Sequence, residues 1–238
     1  MIIFKLLRQG YSPKEILFYV LIYVLALSIA FSFHEFMHAV VAYKLGDDTP
    51  KSGGRVTLNP LAHIDLRGLI LLFLIGIGWG KPVVWNPYKV TKCKPKVAMI
   101  LVSLAGVTGN FIIALVGRII LVFCLRFIPN DSMWISLLIL FFFYLEELNL
   151  MLLVFNLLPI PPLDGFRLID SILPVRARYS GFYKGFMRYS PNILLGIILL
   201  GALADIDLLS GFFNIMETPF RFVIELVAGF LARLISVS

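Results

Sequence analysis

The chain is built from apolar runs too long for ordinary buried helices. From Lys14 to Gly46 the sequence is hydrophobic almost without a break. That length predicts one helix, from about Pro13 to Leu45, able to cross a bilayer with turns to spare. Two further runs, Val97 to Phe127 and Met133 to Leu158, predict a pair of helices joined by a tight Pro129-Asn130-Asp131 turn. Pro159-Ile160-Pro161-Pro162 ends the second of the pair, because prolines lack the backbone donor a helix needs. The chain can restart as a helix near Leu163-Asp164-Gly165. Beyond it, Asn192–Ala204 and Phe212–Ile235 read as one or two more membrane helices, the last carrying Glu217, Arg221, Glu225 and Arg233.

The pattern changes between the first helix and the next full span. Arg55-Val56-Thr57-Leu58 alternates between glycines and a proline, which reads as a short strand, and Lys81-Pro82-Val83-Val84-Trp85-Asn86-Pro87 reads as a second. Between them, Leu69 to Trp79 is apolar but too short for a full span and contains Gly76 and Gly78, so it reads as re-entrant or interfacial. The expected fold is therefore an all-α polytopic membrane protein. It has five to six membrane helices, with a small β-hairpin or re-entrant region after the first. One membrane-embedded domain, 1–238, has its core in residues 14–175, with accessory helices over 190–236.

Composition removes the soluble alternatives. Of 238 residues, 60% are hydrophobic and 15% charged, and the mean hydropathy is +0.93. No polar stretch is long enough to fold as a second, soluble domain. In a soluble protein the net charge of +7 would suggest nucleic acid. Here Lys89, Lys92, Lys94 and Lys96, and later Arg176, Arg178, Lys184 and Arg188, lie between apolar segments, as in loops facing anionic lipid. No nucleic-acid partner is expected; the bilayer is. Cys93 and Cys124 lack zinc-type spacing and read as free thiols. Residues 1–13 read as a short interfacial stretch, with no removable signal peptide. The expected location is the cell membrane, multi-pass, with the basic loops cytoplasmic. The basic N-terminus conflicts with one crossing by the first helix, and a metal shared between loops 46–65 and 159–175 decides for placing these on one face.

One polar triplet interrupts the first apolar run, at His34-Glu35-Phe36-Met37-His38. On a helix, positions four apart share a face, so the two histidines can grip one metal ion while Glu35 reaches a water beside it. Ionisable groups at membrane depth are costly unless they have a function. A catalytic zinc takes three protein ligands and leaves a place for water, so one ligand is missing. His63 is the one histidine left, and Asp65, Glu146, Glu147, Asp164, Asp170 and Asp205 are the acidic candidates. Asp164 stands out because a broken helix at membrane depth is tolerated where it lines an enclosed or watery cavity. For Glu146 and Glu147, a pair with one member protonated or a partner such as Arg118 would each suit the middle of a span.

His34-Glu35-Phe36-Met37-His38 and Asn156-Leu157-Leu158-Pro159-Ile160-Pro161-Pro162-Leu163-Asp164-Gly165 together resemble the two signature motifs of the site-2 protease family. Gly54-Arg55-Val56-Thr57-Leu58-Asn59-Pro60, His63-Ile64-Asp65, Gly80-Lys81-Pro82-Val83 and Ser103-Leu104-Ala105-Gly106 with Asn110 add to the likeness, which covers residues 15–175. It implies one Zn2+ per chain on His34, His38 and Asp164, with Glu35 activating water, and a membrane-spanning protein as substrate. Asn156 and His63 are candidates for contacting the substrate or the developing oxyanion. Capping the helix break is the competing role for Asn156, and structural support that for His63. The sequence departs from the family pattern at Leu66, Val107 and Phe166, the last expected to crowd the helix that carries Asp164. The rival reading is a membrane zinc transporter or metal sensor without protease activity, which would need a polar path through the bilayer.

Overall fold

The computed structural model describes residues 10–75, 78, 80–129, 131–204 and 210–237. Residues 1–9, Gly76, Trp79, Asn130 and Asp205, on which parts of the sequence reading fall, lie outside the described residues. Helix α1 (Pro13–Lys44) begins at a capping box. Ser12 Oγ accepts the Glu15 N–H at 3.3 Å, and Glu15 Oε2 accepts the Ser12 N–H at 2.8 Å. Short helices α2 (Thr49–Ser52), α3 (Pro60–His63) and α4 (Leu66–Ile75) follow, then long helices α5 (Pro95–Phe127) and α6 (Met133–Leu157). After the proline break come α7 (Asp164–Ile172), α8 (Val175–Arg178), α9 (Gly181–Ala204) and α10 (Ser210–Val237).

Three of these, α1, α5 and α6, are long and apolar enough to cross a membrane. They form the core. Hydrocarbon gives helices little drive to associate, so close approach depends on small residues at the contact. Ala26 and Ala30 of α1 are fully buried against Leu145 and Leu148 of α6. At Gly109 of α5 an added Cβ would lie 2.7 Å from Met37 Cγ, so glycine lets α5 close on α1. The opposite face of α1 carries Leu17, Leu21 and Leu25, each more than half exposed and four residues apart, as befits a surface against lipid.

No strand forms among the described residues. The expected hairpin is reduced to a single antiparallel bridge between Ile64 and Gly80, beside a Lys81 N–H donated to His63 O at 2.7 Å. Pro82 and Pro87 interrupt the second expected strand, and Asn59 caps α3 within the first region. The apolar stretch after it becomes α4, starting at Leu66, where Asp65 Oδ1 accepts the N–H groups of Arg67 and Gly68.

A clasp fixes the end of α1. Gly46 has φ +107°, and a Cβ there would lie 2.2 Å from Thr91 Oγ1. The neighbouring Leu45 carbonyl accepts the Thr91 and Lys92 N–H groups at 3.2 and 3.1 Å. Asp47, fully buried, accepts Thr49 N–H at 3.0 Å and Asn86 N–H at 2.6 Å. The carboxylate thus ties residues 86–92 to the end of α1.

Helix α10 packs on α5 and α6 through Phe220 and Ile224, and an ionic cluster sits beside this contact, with Glu146 and Glu217 buried and Arg118, Arg221 and Glu147 partly exposed. Arg221 donates to both Glu147 oxygens at 2.7 and 3.1 Å and to Glu217 at 3.0 Å, while Arg118 reaches Glu146 at 3.4 Å. The two acids in mid-helix therefore have cationic partners, Arg118 as one of the sequence alternatives foresees and Arg221 in addition. Phe166 does not simply crowd α7. It is buried and meets Tyr183 and Phe186 of α9 at ring distances of 6.1 and 5.9 Å.

Burial pushes the Asp47 carboxyl up, but its hydrogen bonds to Thr49 and Asn86 and the nearby Lys89 outweigh this and hold it below the ordinary 3.8. Its stabilisation is therefore complete above that ordinary value and is lost as pH falls through the lower folded value. Replacing Asp47 by Ala should lower stability by about 1–3 kcal/mol at neutral pH, because two backbone donors lose a charged acceptor. Thermal unfolding in detergent at pH 7 and at pH 3 checks this: wild type and variant should differ less in acid than at neutrality.

Candidate metal centre and active site

His34 and His38 lie one turn apart on the buried face of α1, with their Nε2 atoms 2.9 Å from each other. Asp164, the first residue of α7, places Oδ2 3.3 Å from His34 Nε2 and 3.0 Å from His38 Nε2. The chain reaches this point because α6 ends at the prolines and α7 folds back against its last turn. Gly165 makes the return possible: a Cβ there would lie 2.1 Å from Leu157 O. Gly106 of α5 presses on the pair from the other side, where a Cβ would lie 2.5 Å from His38 Nε2 and 2.6 Å from His34 Cε1.

The hydrogen-bond partners fix what the three facing atoms are. His38 Nδ1 lies 2.7 Å from Val102 O, a carbonyl that can only accept, so the proton is on Nδ1. His34 Nδ1 lies 2.6 Å from Asn110 Oδ1, with the same consequence. Both Nε2 lone pairs then point at each other and at Asp164 Oδ2, which is buried with no hydrogen-bond donor. Three acceptors at about 3 Å repel one another unless a cation lies among them. Donors about 2 Å from a tetrahedral zinc stand roughly 3.3 Å apart, so the residues fit such an ion. The other carboxylate oxygen, Asp164 Oδ1, faces Arg167 at 3.7 Å.

Glu35 is buried beside the histidines, and its Oε2 accepts the Val83 N–H at 2.7 Å. Val83 belongs to the loop that follows the Ile64–Gly80 bridge. A cavity of about 460 Å³ opens onto Glu35 and the three converging residues, with largely apolar walls from α1, α4 and α6. Asn156 lines it, with its Nδ2 donating to Leu152 O at 2.9 Å. His63 is not among the lining residues. It is fully buried under the loop, donating from Nε2 to Thr57 O at 3.0 Å. Asp65 lines the cavity wall but is engaged in capping α4, and Asp170 is paired with Arg178 at 3.1 Å and Tyr183 at 2.8 Å. Among the described residues, His34, His38 and Asp164 are the one group of this kind that can hold a metal.

Sequence reasoning gives Asn110, Gly106 and the Val83 N–H no role at the site. A carboxamide in an apolar span is a signal that could have found Asn110; a backbone amide leaves none.

Comparison with known proteins matches residues 127–197 to Peptidase family M50. YwhC of Bacillus subtilis (strain 168), whose designation is "Putative zinc metalloprotease", is 42% identical over 181 residues, covering 73% of this chain and 78% of YwhC. The chain belongs to peptidase family M50. Two proteins of the same designation, both called Rip2, are also similar to this chain. The one from Mycobacterium tuberculosis (strain ATCC 25618 / H37Rv) is 34% identical over 152 residues, 61% of this chain and 54% of its own length. The one from Mycolicibacterium smegmatis (strain ATCC 700084 / mc(2)155) is 31% identical over 167 residues, 65% of this chain and 60% of its own. No solved structure gives a significant match. The family's site-2 protease character agrees with the paired motifs on α1 and α7, and the long apolar helices make this M50 member a membrane protein.

The close approach of Gly106 gives a direct test. Gly106→Val should abolish stoichiometric zinc in the purified protein while leaving helix content unchanged, read by metal analysis and circular dichroism.

Proposed function

We propose that this protein is an intramembrane zinc metalloprotease that hydrolyses a peptide bond within or next to a membrane-spanning segment of a substrate protein. The observation that carries this reading is the convergence of His34 Nε2, His38 Nε2 and Asp164 Oδ2 beside Glu35 at the wall of an apolar cavity. In this reading His34, His38 and Asp164 hold one zinc ion. Zinc bound there supplies a Lewis acid that polarises a carbonyl and lowers the pKa of a water toward about 7.

The chain's own groups account for the rest. Glu35 takes the proton of the attacking water and passes one to the leaving amine nitrogen. The Val83 N–H holds one Glu35 oxygen, which leaves the other free to face the reacting water. A helical substrate conceals its carbonyls in hydrogen bonds to residues four positions on, so it must unwind before it is cut. The loop at 81–86 offers backbone groups along which an unwound segment can lie, and the apolar cavity wall receives its side chains. Asn156 offers an amide toward the scissile carbonyl or the developing oxyanion, and His63 supports the loop from beneath.

We place the site at the cytoplasmic face of a multi-pass protein of the cell membrane, with α9 and α10 as further membrane helices of one domain around the core at 14–175. The basic loops at 81–96 and 167–190 support that side. The transporter reading lacks a path. Among the described residues, the mid-span charges Arg118, Glu146 and Glu147 pair with one another or with α10 rather than lining a route through the bilayer.

Co-expression with a single-span substrate tests the assignment. Glu35→Gln should lower cleavage by about 10²–10⁴-fold while one zinc per chain remains, because the base is lost and the ligands are not. Normal cleavage by that variant would remove Glu35 from the role of base. Placing Gly or Pro near the cleavage point of the substrate should raise the rate, and replacing them with Leu should lower it, measured by the yield of product bands.

A further inference from the structure

Two asparagines are buried completely inside the helical core, Asn110 on α5 and Asn149 on α6. In such surroundings every donor and acceptor of a carboxamide needs a partner, and the partners decide which way the amide points. Asn149 Nδ2 donates to the Leu145 carbonyl of its own helix at 2.7 Å. That bond turns Asn149 Oδ1 toward α5, where it accepts from Asn110 Nδ2 at 2.8 Å. Asn110 Nδ2 also donates to the Ala30 carbonyl of α1 at 3.3 Å. Both of its N–H groups are thereby used on oxygen atoms, and Oδ1 is left facing His34 Nδ1 at 2.6 Å.

The arrangement runs one way only. Turning the Asn110 amide over would set its oxygen against Asn149 Oδ1 and Ala30 O, three acceptors with no proton among them. With the amide held, His34 must carry its proton on Nδ1 and present its Nε2 lone pair to His38 and Asp164. His38 is oriented differently, by the backbone carbonyl of Val102, which the α5 helix itself fixes. His34 is oriented by a side chain, Asn110, which Asn149 and the Ala30 carbonyl hold in turn.

We infer that Asn149 and Asn110 form a carboxamide relay across α6, α5 and α1 that fixes the ring orientation and tautomer of His34, making both of them positioning residues for the metal site. The inference rests on the reading of His34 as a zinc ligand. Groups that orient a ligating histidine in this way change metal affinity by roughly 10–100-fold when removed. Asn149 is not among the cavity-lining residues and its side-chain hydrogen bonds go to Leu145 O and Asn110, so its hydrogen-bonded route to the metal site runs through Asn110.

Zinc affinity of the purified full chain in detergent, read by competition with a chromogenic chelator, tests the relay. Asn110→Leu should weaken zinc by roughly 10–100-fold, and Asn149→Leu should weaken it in the same direction by less. Asn110→Asp keeps an acceptor for the His34 Nδ1–H but sets its second oxygen against Asn149 Oδ1 and Ala30 O, so it should bind zinc less tightly than the wild type and more tightly than Asn110→Leu. The double Leu variant should be no weaker than Asn110→Leu alone, since both act along one path. The visible spectrum of the cobalt-substituted protein should change more in Asn110→Leu than in Asn110→Asp. If Asn149→Leu fails to fold, Asn149→Ala removes the same acceptor with less bulk and should weaken zinc in the same direction.

The relay is overturned if Asn110→Leu binds zinc like wild type while His34→Ala does not, or if the two Leu effects multiply. A purely structural role would lower the thermal stability of the metal-free variants and leave zinc affinity intact, which also overturns it. If His34→Ala binds zinc normally, the ligand assignment itself fails and the relay with it. The His34→Ala control thus separates the two failures.

Discussion

Two imidazole lone pairs and a carboxylate oxygen held about 3 Å apart in a buried site repel one another, and the rest of the core exists to keep them there. No single element does this. Helix α1 supplies the histidine pair, and α5 comes close enough to touch both rings only because residue 106 is glycine. Helix α7 brings Asp164 in from above the proline break, and Gly165 lets it pack against the end of α6. The repulsion is tolerable because a divalent cation reverses its sign.

How much of this could be read from residues alone follows from the range of each interaction. Long spans are visible because apolar length is local, so α1, α5 and α6 emerge within a residue or two of their observed ends. The histidine pair is also local, being one helical turn. Asp164 is remote from it, and spacing alone leaves several acids open; the proline break narrows the choice, and the resemblance to site-2 proteases settles on that residue. The region from 46 to 94 is the least legible. Alternation over four residues suggests strands, yet prolines and side-chain caps hold this stretch as turns and short helices that meet at one bridge. The Asp47 clasp explains why: backbone groups there are satisfied by a buried carboxylate and by the Leu45 carbonyl rather than by a neighbouring strand.

The ionic cluster on α10 shows a different limit. Charges spaced along a hydrophobic helix look like a reason to doubt that it packs in a membrane core. Arg221 instead meets Glu147 of α6, which would otherwise be costly where it lies, and the same guanidinium donates to Glu217 of its own helix. Neither helix makes sense alone. The same is true of Phe166, whose bulk becomes intelligible once Tyr183 and Phe186 stand beside it.

The distance along the chain between the two parts of the centre has a consequence in time. His38 and Asp164 are 126 positions apart (164 − 38), with both α5 and α6 between them. A ribosome delivers the chain from its N-terminus, so the histidines enter the bilayer well before the aspartate has been made. At that stage the chain has Glu35 and the two histidines of the proposed centre, without Asp164. Asp164 arrives only after both intervening spans are in place. Synthesis order itself therefore keeps the proposed centre incomplete until the helices that pack around it have been made.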